Sequence, residues 1–346
     1  MINENGSSPC CSPESHRTMS LCVKCKKEEP CIDIKFALYC SPCFLEATFH
    51  KYRILLARSR ENVHSPRGLI LLPKNFLDCP QVFRASRVLI HFSQLPSIHE
   101  PARKNLVTYD LGVPVYGDYE KAKKFVEEIR AQYPLLGEVY ALPITREQDC
   151  DIKKFDEYCE TETFDNLNLS NTLKEDLLNS KLLHIQLKLM KQIQVDKAMT
   201  PETSTALASH ILTCTCKGRG KFLPWDSALS RSFPGNLFLS RPLKEISDRE
   251  IELYCQEANF PNSSSDQQIK TPSISSLSID QLNVNFLSNL EGENPGTANV
   301  VIRTSSKVTT VTDLSTVDED TIRCKICLAP NDTEICPSCS PISEFF

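Results

Sequence analysis

Four C-x2-C pairs, grouped at the two ends of the chain, limit its folding options more than any other feature. Cys22-x2-Cys25 precedes Cys40-x2-Cys43, and Cys324-x2-Cys327 precedes Cys336-x2-Cys339. Each tight turn presents two thiolates, and two such turns complete the tetrahedral shell of a closed zinc site with no position left for a reactant. Fourteen residues separate the first two pairs, which is zinc-ribbon spacing, and Cys31 to Tyr39 between them is expected to form a hairpin. The second gap, of eight residues, is shorter, but Pro330-Asn331-Asp332 supplies turn chemistry for a compact knuckle. Two structural zinc ions are therefore expected. Spacing alone leaves a four-cysteine iron–sulfur cluster open as the competitor. Cys79, Cys150, Cys159, Cys214, Cys216 and Cys255 are scattered, and are read as packing or incidental surface thiols rather than nucleophiles.

No run of the sequence is apolar for long enough to span a bilayer, and Met1-Ile2-Asn3-Glu4 opens neither a signal peptide nor a myristoylation motif. A cytosolic or nuclear chain is expected, in which thiols bind metal before they pair as disulfides. With 40% hydrophobic and 24% charged residues, the chain can bury a real core. Only ten glycines in 346 residues make a glycine-rich phosphate cradle compositionally scarce.

Charge is unevenly spread. Cys22 to Arg67 holds nine Lys/Arg against five Asp/Glu, whereas the whole chain is at −5, so a basic module precedes an acidic body. That pattern suits a localised polyanion contact better than a chain-wide nucleic-acid coat. Residues 1–20 read as a flexible tail, and 21–67 as a zinc ribbon plus a basic helix with Leu45, Phe49, Tyr52 and Leu56 at helical spacing. Residues 68–260 alternate strand and helix. Strands are expected at Gly68 to Leu72, Asn105 to Tyr109, Glu138 to Leu142 and Ile193 to Ala198. Helices are expected near Gln81 to Phe92, Tyr119 to Gln132 and Leu173 to Met190, and from Thr200 as N-cap through Leu212. Such alternation points to an α/β parallel sheet. An acidic insert, 147–176, reads as a linker. Residues 261–320 read as a loop followed by an extension, with capping-box spacing at Ser278 and Gln281, and 321–346 as the C-terminal knuckle.

In open parallel sheets ligands bind beyond the carboxyl ends of the strands. The first such turn, Pro73 to Pro80, has no glycine, and its prolines remove backbone donors, so it is poorly suited to wrapping a phosphate. The second, Lys197 to Glu202, lacks the paired carboxylates that would hold magnesium beside a nucleotide. Basic side chains are the positive signal. Lys51, Arg53, Arg58 and Arg60, together with Lys217, Arg219 and Lys221, are candidates for contact with nucleic-acid phosphates, although a solvated face would explain either group alone.

The order of these features resembles the cytoplasmic tRNA 2-thiolation protein 2 family. The resemblance rests on Cys22-Val23-Lys24-Cys25, Tyr39-Cys40-Ser41-Pro42-Cys43-Phe44, His50-Lys51-Tyr52-Arg53, Gly218-Arg219-Gly220, Ser240-Arg241-Pro242-Leu243-Lys244 leading to Tyr254-Cys255, and the terminal quartet. It implies a degenerate adenine-nucleotide α-hydrolase-like (pyrophosphatase-loop) α/β fold flanked by an N-terminal zinc ribbon and a C-terminal zinc knuckle. The loop position holds Pro73 to Pro80 in place of the Ser-Gly-Gly-x-Asp-Ser pattern of active enzymes, so no catalytic residue and no ATP use are expected of this chain. The resemblance further implies a cytoplasmic heterodimer with a catalytic sister subunit, tRNA for Lys, Glu and Gln as substrate, and sulfur from a thiocarboxylated ubiquitin-related modifier. Two rival expectations are an autonomous ATP-dependent tRNA thiolase and a zinc-dependent protein scaffold without RNA contact.

Overall fold

The computed structural model describes residues 21–34, 37–59, 67–95, 108–145, 152–158, 169–260, 277–308 and 321–346. It divides into two compact units, Met1–Glu46 and Ala47–Phe346. No described helix is long and apolar enough to cross a membrane.

In the first unit the expected hairpin is present. Strands β1 (Ile32–Ile34) and β2 (Ala37–Tyr39) pair antiparallel, with Ile32 opposite Tyr39 and Ile34 opposite Ala37. Helix α1 (Ser41–Ser59) starts inside the second cysteine pair and continues into the second unit. Its buried stripe is Phe44, Thr48, Tyr52, Leu55 and Ser59, rotated from the expected one; Leu45, Phe49 and Leu56 are only half-buried. Two of the buried positions, Thr48 and Ser59, are small hydroxyl residues, which a reading of apolar spacing passes over. Ser59 satisfies its hydroxyl by donating to the Leu56 carbonyl at 2.9 Å.

The second unit is built on a mostly parallel six-stranded sheet. Its strands are β3 (Arg67–Leu71), β4 (Thr108–Val115), β5 (Val139–Pro143), β6 (Lys197–Met199), β7 (Ser230–Phe233) and β8 (Leu237–Ser240), in the order β5-β4-β3-β6-β8-β7. Only β7 runs antiparallel to its neighbour. The connecting helices are α2 (Pro80–Gln94), α3 (Tyr119–Gln132), α4 (Asn171–Gln192), α5 (Ser204–Cys216) and α6 (Leu223–Asp226), and α7 (Asp248–Glu257), α8 (Ile279–Glu293) and α9 (Thr297–Ser305) follow β8. Strand order reverses at β3, whose neighbours are β4 on one side and β6 on the other.

Several boundaries differ from the sequence expectation. Strand β4 is described from Thr108, the expected positions 105–107 lying outside the described residues, and it runs beyond the expected Tyr109 to Val115, through Gly112 and Pro114. Both residues are weak strand formers, but here Leu111, Val113 and Val115 are buried between neighbouring strands, and burial overrides propensity. A Cβ on Gly112 would come within 2.7 Å of the end of the Leu71 side chain, so any larger residue here would have to displace Leu71. Thr200 is not a helix cap. Its N–H donates to the Ser240 carbonyl at 2.9 Å, extending the sheet, and α5 is capped instead by Thr203, whose hydroxyl accepts from the Ala206 N–H at 3.1 Å. Residues 200–203 therefore form a loop at the carboxyl end of β6. Part of the acidic stretch expected as a linker is structured. Phe155 is buried and stacks on Tyr119, Arg130 makes a bidentate pair with Asp156 at 2.7 and 3.0 Å, and Asn171 to Asp176 form the first turns of α4. The capping box at Ser278 and Gln281 is present in both halves. The stretch 261–276 expected as a loop lies outside the described residues.

One hydrophobic cluster joins the sheet and its covering helix to the C-terminal cysteines, combining Leu69, Leu71, Leu142, Leu189 and Met190 with Cys324, Cys336 and Cys339. A second joins Leu207 and Ile211 of α5 to Leu287 of α8 and to Ala298 and Ile302 of α9.

Candidate functional site: thiolate quartets and a charged crevice

The sulfurs of Cys22, Cys25, Cys40 and Cys43 all lie within 4.8 Å of one another, and so do those of Cys324, Cys327, Cys336 and Cys339. With Zn–S near 2.3 Å, tetrahedral geometry sets neighbouring sulfurs about 3.8 Å apart. Cys25 and Cys40 are separated by 3.8 Å, and Cys327 and Cys336 by 3.9 Å. Both quartets can therefore hold a single metal ion. Burial would raise the Cys22 thiol, but hydrogen bonds from the backbone at Cys25, Cys40 and Lys24 outweigh it and hold Cys22 down at about 6, while Cys40 and Cys43 in the same quartet are pushed up. In the C-terminal quartet the Cys336 N–H donates to the Cys324 sulfur at 3.4 Å, the kind of outer contact that orients a thiolate ligand.

The second feature is a crevice of about 370 Å³ at the carboxyl ends of β3 and β6, where strand order reverses. The loop after β3 forms one wall. It turns its backbone donors inward: the N–H of Phe76 bonds the Pro73 carbonyl at 3.2 Å, and those of Asp78 and Cys79 bond the Asn75 carbonyl at 3.2 and 3.0 Å. Glu202 and Thr203 line the crevice from the β6 loop, His210 and Cys214 from α5, Lys217 from the C-cap of that helix, and Cys327 and Cys339 from the C-terminal quartet.

Charge lining this crevice and buried behind it is dense and paired. Lys74 meets Glu175 at 2.8 Å, and Lys217 lies 2.7 Å from both Asp176 and Asp280. Arg219 reaches both oxygens of the fully buried Asp226 at 3.2 Å. Arg241, also fully buried, donates to the carbonyls of Asp226 and Ala228 at 2.8 and 2.9 Å and ion-pairs with Glu202. Burial alone would raise the Glu202 carboxyl, but Arg241, with Arg231 and His210 nearby, pulls it down to about 2. Burial and the neighbouring Arg241 push Arg231 down to about 10. Two buried donors of residues that line the crevice, the Trp225 indole N–H and Arg231 Nε, have no acceptor among the described residues.

The basic residues singled out in the sequence fall on two segments, and each described one has an intramolecular partner. On α1, Lys51 pairs with the buried Glu250, Arg58 approaches Glu245 at 4.0 Å, and Arg53 lies over the Phe49 ring. Arg60 lies outside the described residues. Lys217 and Arg219 are engaged in the crevice pairs above, with side chains only 11% and 15% exposed, whereas Lys221 is 41% exposed and pairs with Asp332 at 2.6 Å. Sequence reasoning named Glu202 only as the end of a turn and Arg241 only within a family-like segment, and it missed His210, Asp226 and Arg231. They come from separate loops and helices, and only the one-turn spacing of His210 and Cys214 was visible beforehand.

No protein-family model matches the chain. The chain is 31% identical over 168 residues to cytoplasmic tRNA 2-thiolation protein 2-A of Xenopus laevis, an alignment covering 47% of this chain and 32% of that protein. It is 22% identical over 366 residues to cytoplasmic tRNA 2-thiolation protein 2 of Danio rerio, covering 90% of this chain and 72% of that protein. The match to Xenopus thus spans about a third of the length of that relative. Among solved structures, the U34-tRNA thiolase NcsA from Methanococcus maripaludis with its [4Fe-4S] cluster superposes with a TM-score of 0.59 at 18% identity, covering 94% of this chain and 95% of that one. The chain is thus similar to proteins named cytoplasmic tRNA 2-thiolation protein 2, and it shares the α/β fold of the thiolase.

Proposed function

We propose that this chain is a mainly non-catalytic subunit of the cytosolic complex that 2-thiolates the wobble uridine, U34, of tRNA for Lys, Glu and Gln. In this reading it binds tRNA and a catalytic sister subunit, and a thiocarboxylated ubiquitin-related modifier supplies the sulfur. The observation that carries the reading is the loop after β3. In a fold shared with a U34-tRNA thiolase, the Phe76, Asp78 and Cys79 N–H groups bond the loop's own carbonyls, where a phosphate cradle would aim them outward. The names of the relatives support the tRNA thiolation role.

Each quartet would hold one structural zinc ion. The thiolate spacing supports one ion over a [4Fe-4S] cluster, because a cubane bonds its four cysteines to four separate irons and spreads them beyond single-ion distances. The α1 cations Lys51, Arg53 and Arg58, with Arg60, Lys217, Arg219 and Lys221, are the residues this reading assigns to RNA phosphates.

The test is reconstitution. The purified chain alone, given ATP, sulfur donor and tRNA, is expected to form neither AMP nor 2-thiouridine, and the chain with its sister subunit is expected to form both. Thiolation by the chain alone would overturn the division of labour.

A further inference from the structure

We infer that the crevice contains a third metal site, separate from both cysteine quartets, in which His210, Cys214 and Asp226 bind one borderline divalent ion of the Zn2+ class and leave a fourth position open. His210 and Cys214 are one turn apart on α5, so both side chains project from the same face, and Asp226 ends α6. Their ligand atoms all lie within 4.8 Å of one another. His210 Nε2 is 3.5 Å from the Cys214 sulfur and 3.5 Å from Asp226 Oδ1. Around a tetrahedral zinc ion with ordinary bond lengths, N and S stand about 3.6 Å apart, and N and O about 3.4 Å.

The same three residue types could be read as a Cys-His-Asp nucleophilic triad. Geometry argues against that. A triad places the nucleophile on one ring nitrogen and the carboxylate on the other. Here the sulfur and the carboxylate oxygen both converge on Nε2, which is how ligands gather around a shared ion. A neutral imidazole, a thiolate and a carboxylate also balance a divalent charge.

Arg219 binds both Asp226 oxygens, but a carboxylate offers about four acceptor positions, so Oδ1 retains capacity for a metal. The arginine then acts as the outer partner that fixes the carboxylate. His210 and Cys214 face the crevice, so the fourth position opens into a cavity rather than into packed core. Trp225 and Arg231 are among the residues that line this cavity, and the Trp225 N–H and Arg231 Nε are buried donors without an acceptor in the structure.

The experiment counts metal on the full chain stripped by chelation and reloaded with excess Zn2+. Wild type is compared with H210Q and with C214S. Each variant is expected to hold one equivalent less than wild type. That difference does not depend on what the quartets hold, so a wrong assignment of the quartets would not mask it. In parallel, Zn2+ is expected to protect Cys214 from alkylation in wild type but not in H210Q. Equal metal content in wild type and both variants, or Cys214 protection unaffected by Zn2+, would show that the three groups share only a proton and a salt bridge.

Discussion

Lys26 and Leu328 occupy the same place in two different cysteine turns. Each follows the second cysteine of a C-x2-C pair, adopts a left-handed backbone (φ 55° and 58°), and donates its N–H to the carbonyl of the first cysteine at 2.9 Å. Such a conformation costs a non-glycine residue roughly 1–2 kcal/mol, and the turn retains it because it brings the two thiolates together. Replacing Lys26 with valine, a β-branched residue badly suited to that region, is expected to weaken metal retention at the first quartet, while K26G leaves retention intact or improves it. Zinc loss to a chelator over time measures both, and equal rates for K26V and wild type would count against this account of the turn.

The C-terminal quartet belongs to the same apolar cluster as Leu71, Leu189 and Trp225. Removing one ligand there strips a metal and opens the core under the sheet at once. C336S is therefore expected to destabilise the Ala47–Phe346 unit by more than about 4 kcal/mol. Denaturant unfolding followed through Trp225, the one tryptophan of the chain, reads this directly.

Arg241 is completely buried, and its guanidinium serves two backbone carbonyls and Glu202 together. R241A is expected to cost roughly 3–5 kcal/mol, and R241K to recover little of it, because an ammonium cannot reproduce the planar fork. The pair also sets an acid limit. Glu202 titrates near 2 in the folded chain, below the ordinary value of 4.5. Its stabilising contribution is therefore complete above about 4.5 and is lost as the pH falls from there towards 2. Stability measured across that window should fall less steeply in E202Q than in wild type, and parallel curves would remove Glu202 from the account.

For RNA contact, the exposed members of α1 give the sharper test. Arg58 has a weak ion pair, whereas Lys51 is the counter-charge of the buried Glu250, so removing Lys51 disturbs the fold as well as the surface. R53Q and R58Q together are expected to weaken tRNA binding by the assembled complex and to flatten its salt dependence by about 0.7–0.9 in log–log slope per lost phosphate contact. The loss should be similar for tRNAs of different anticodon, since phosphate contacts carry no sequence information. Unchanged affinity and slope would make α1 a solvated face.

Local signals transferred well from sequence to structure, and distant ones did not. Helix α3 matches its predicted bounds because Asp118 caps it by accepting from the Lys121 N–H, and its apolar residues recur at helical spacing. The quartets were legible because each needs only two neighbouring pairs. The start of α5 was misplaced because Thr200 and Thr203 are equally good caps in one dimension, and only the Ser240 carbonyl, 40 residues away, decides between them. The crevice was illegible for the same reason: Glu202, Asp226, Arg231 and Arg241 acquire meaning only when β6, α6, β7 and β8 come together.

Cys327 and Cys339 form a wall of the crevice whose floor is laid by β3 and β6. Both strands precede that wall in the chain, so the cavity is completed last, by the segment that carries the four thiolates. With the ion proposed for that quartet, the shape of the crevice becomes linked to metal occupancy.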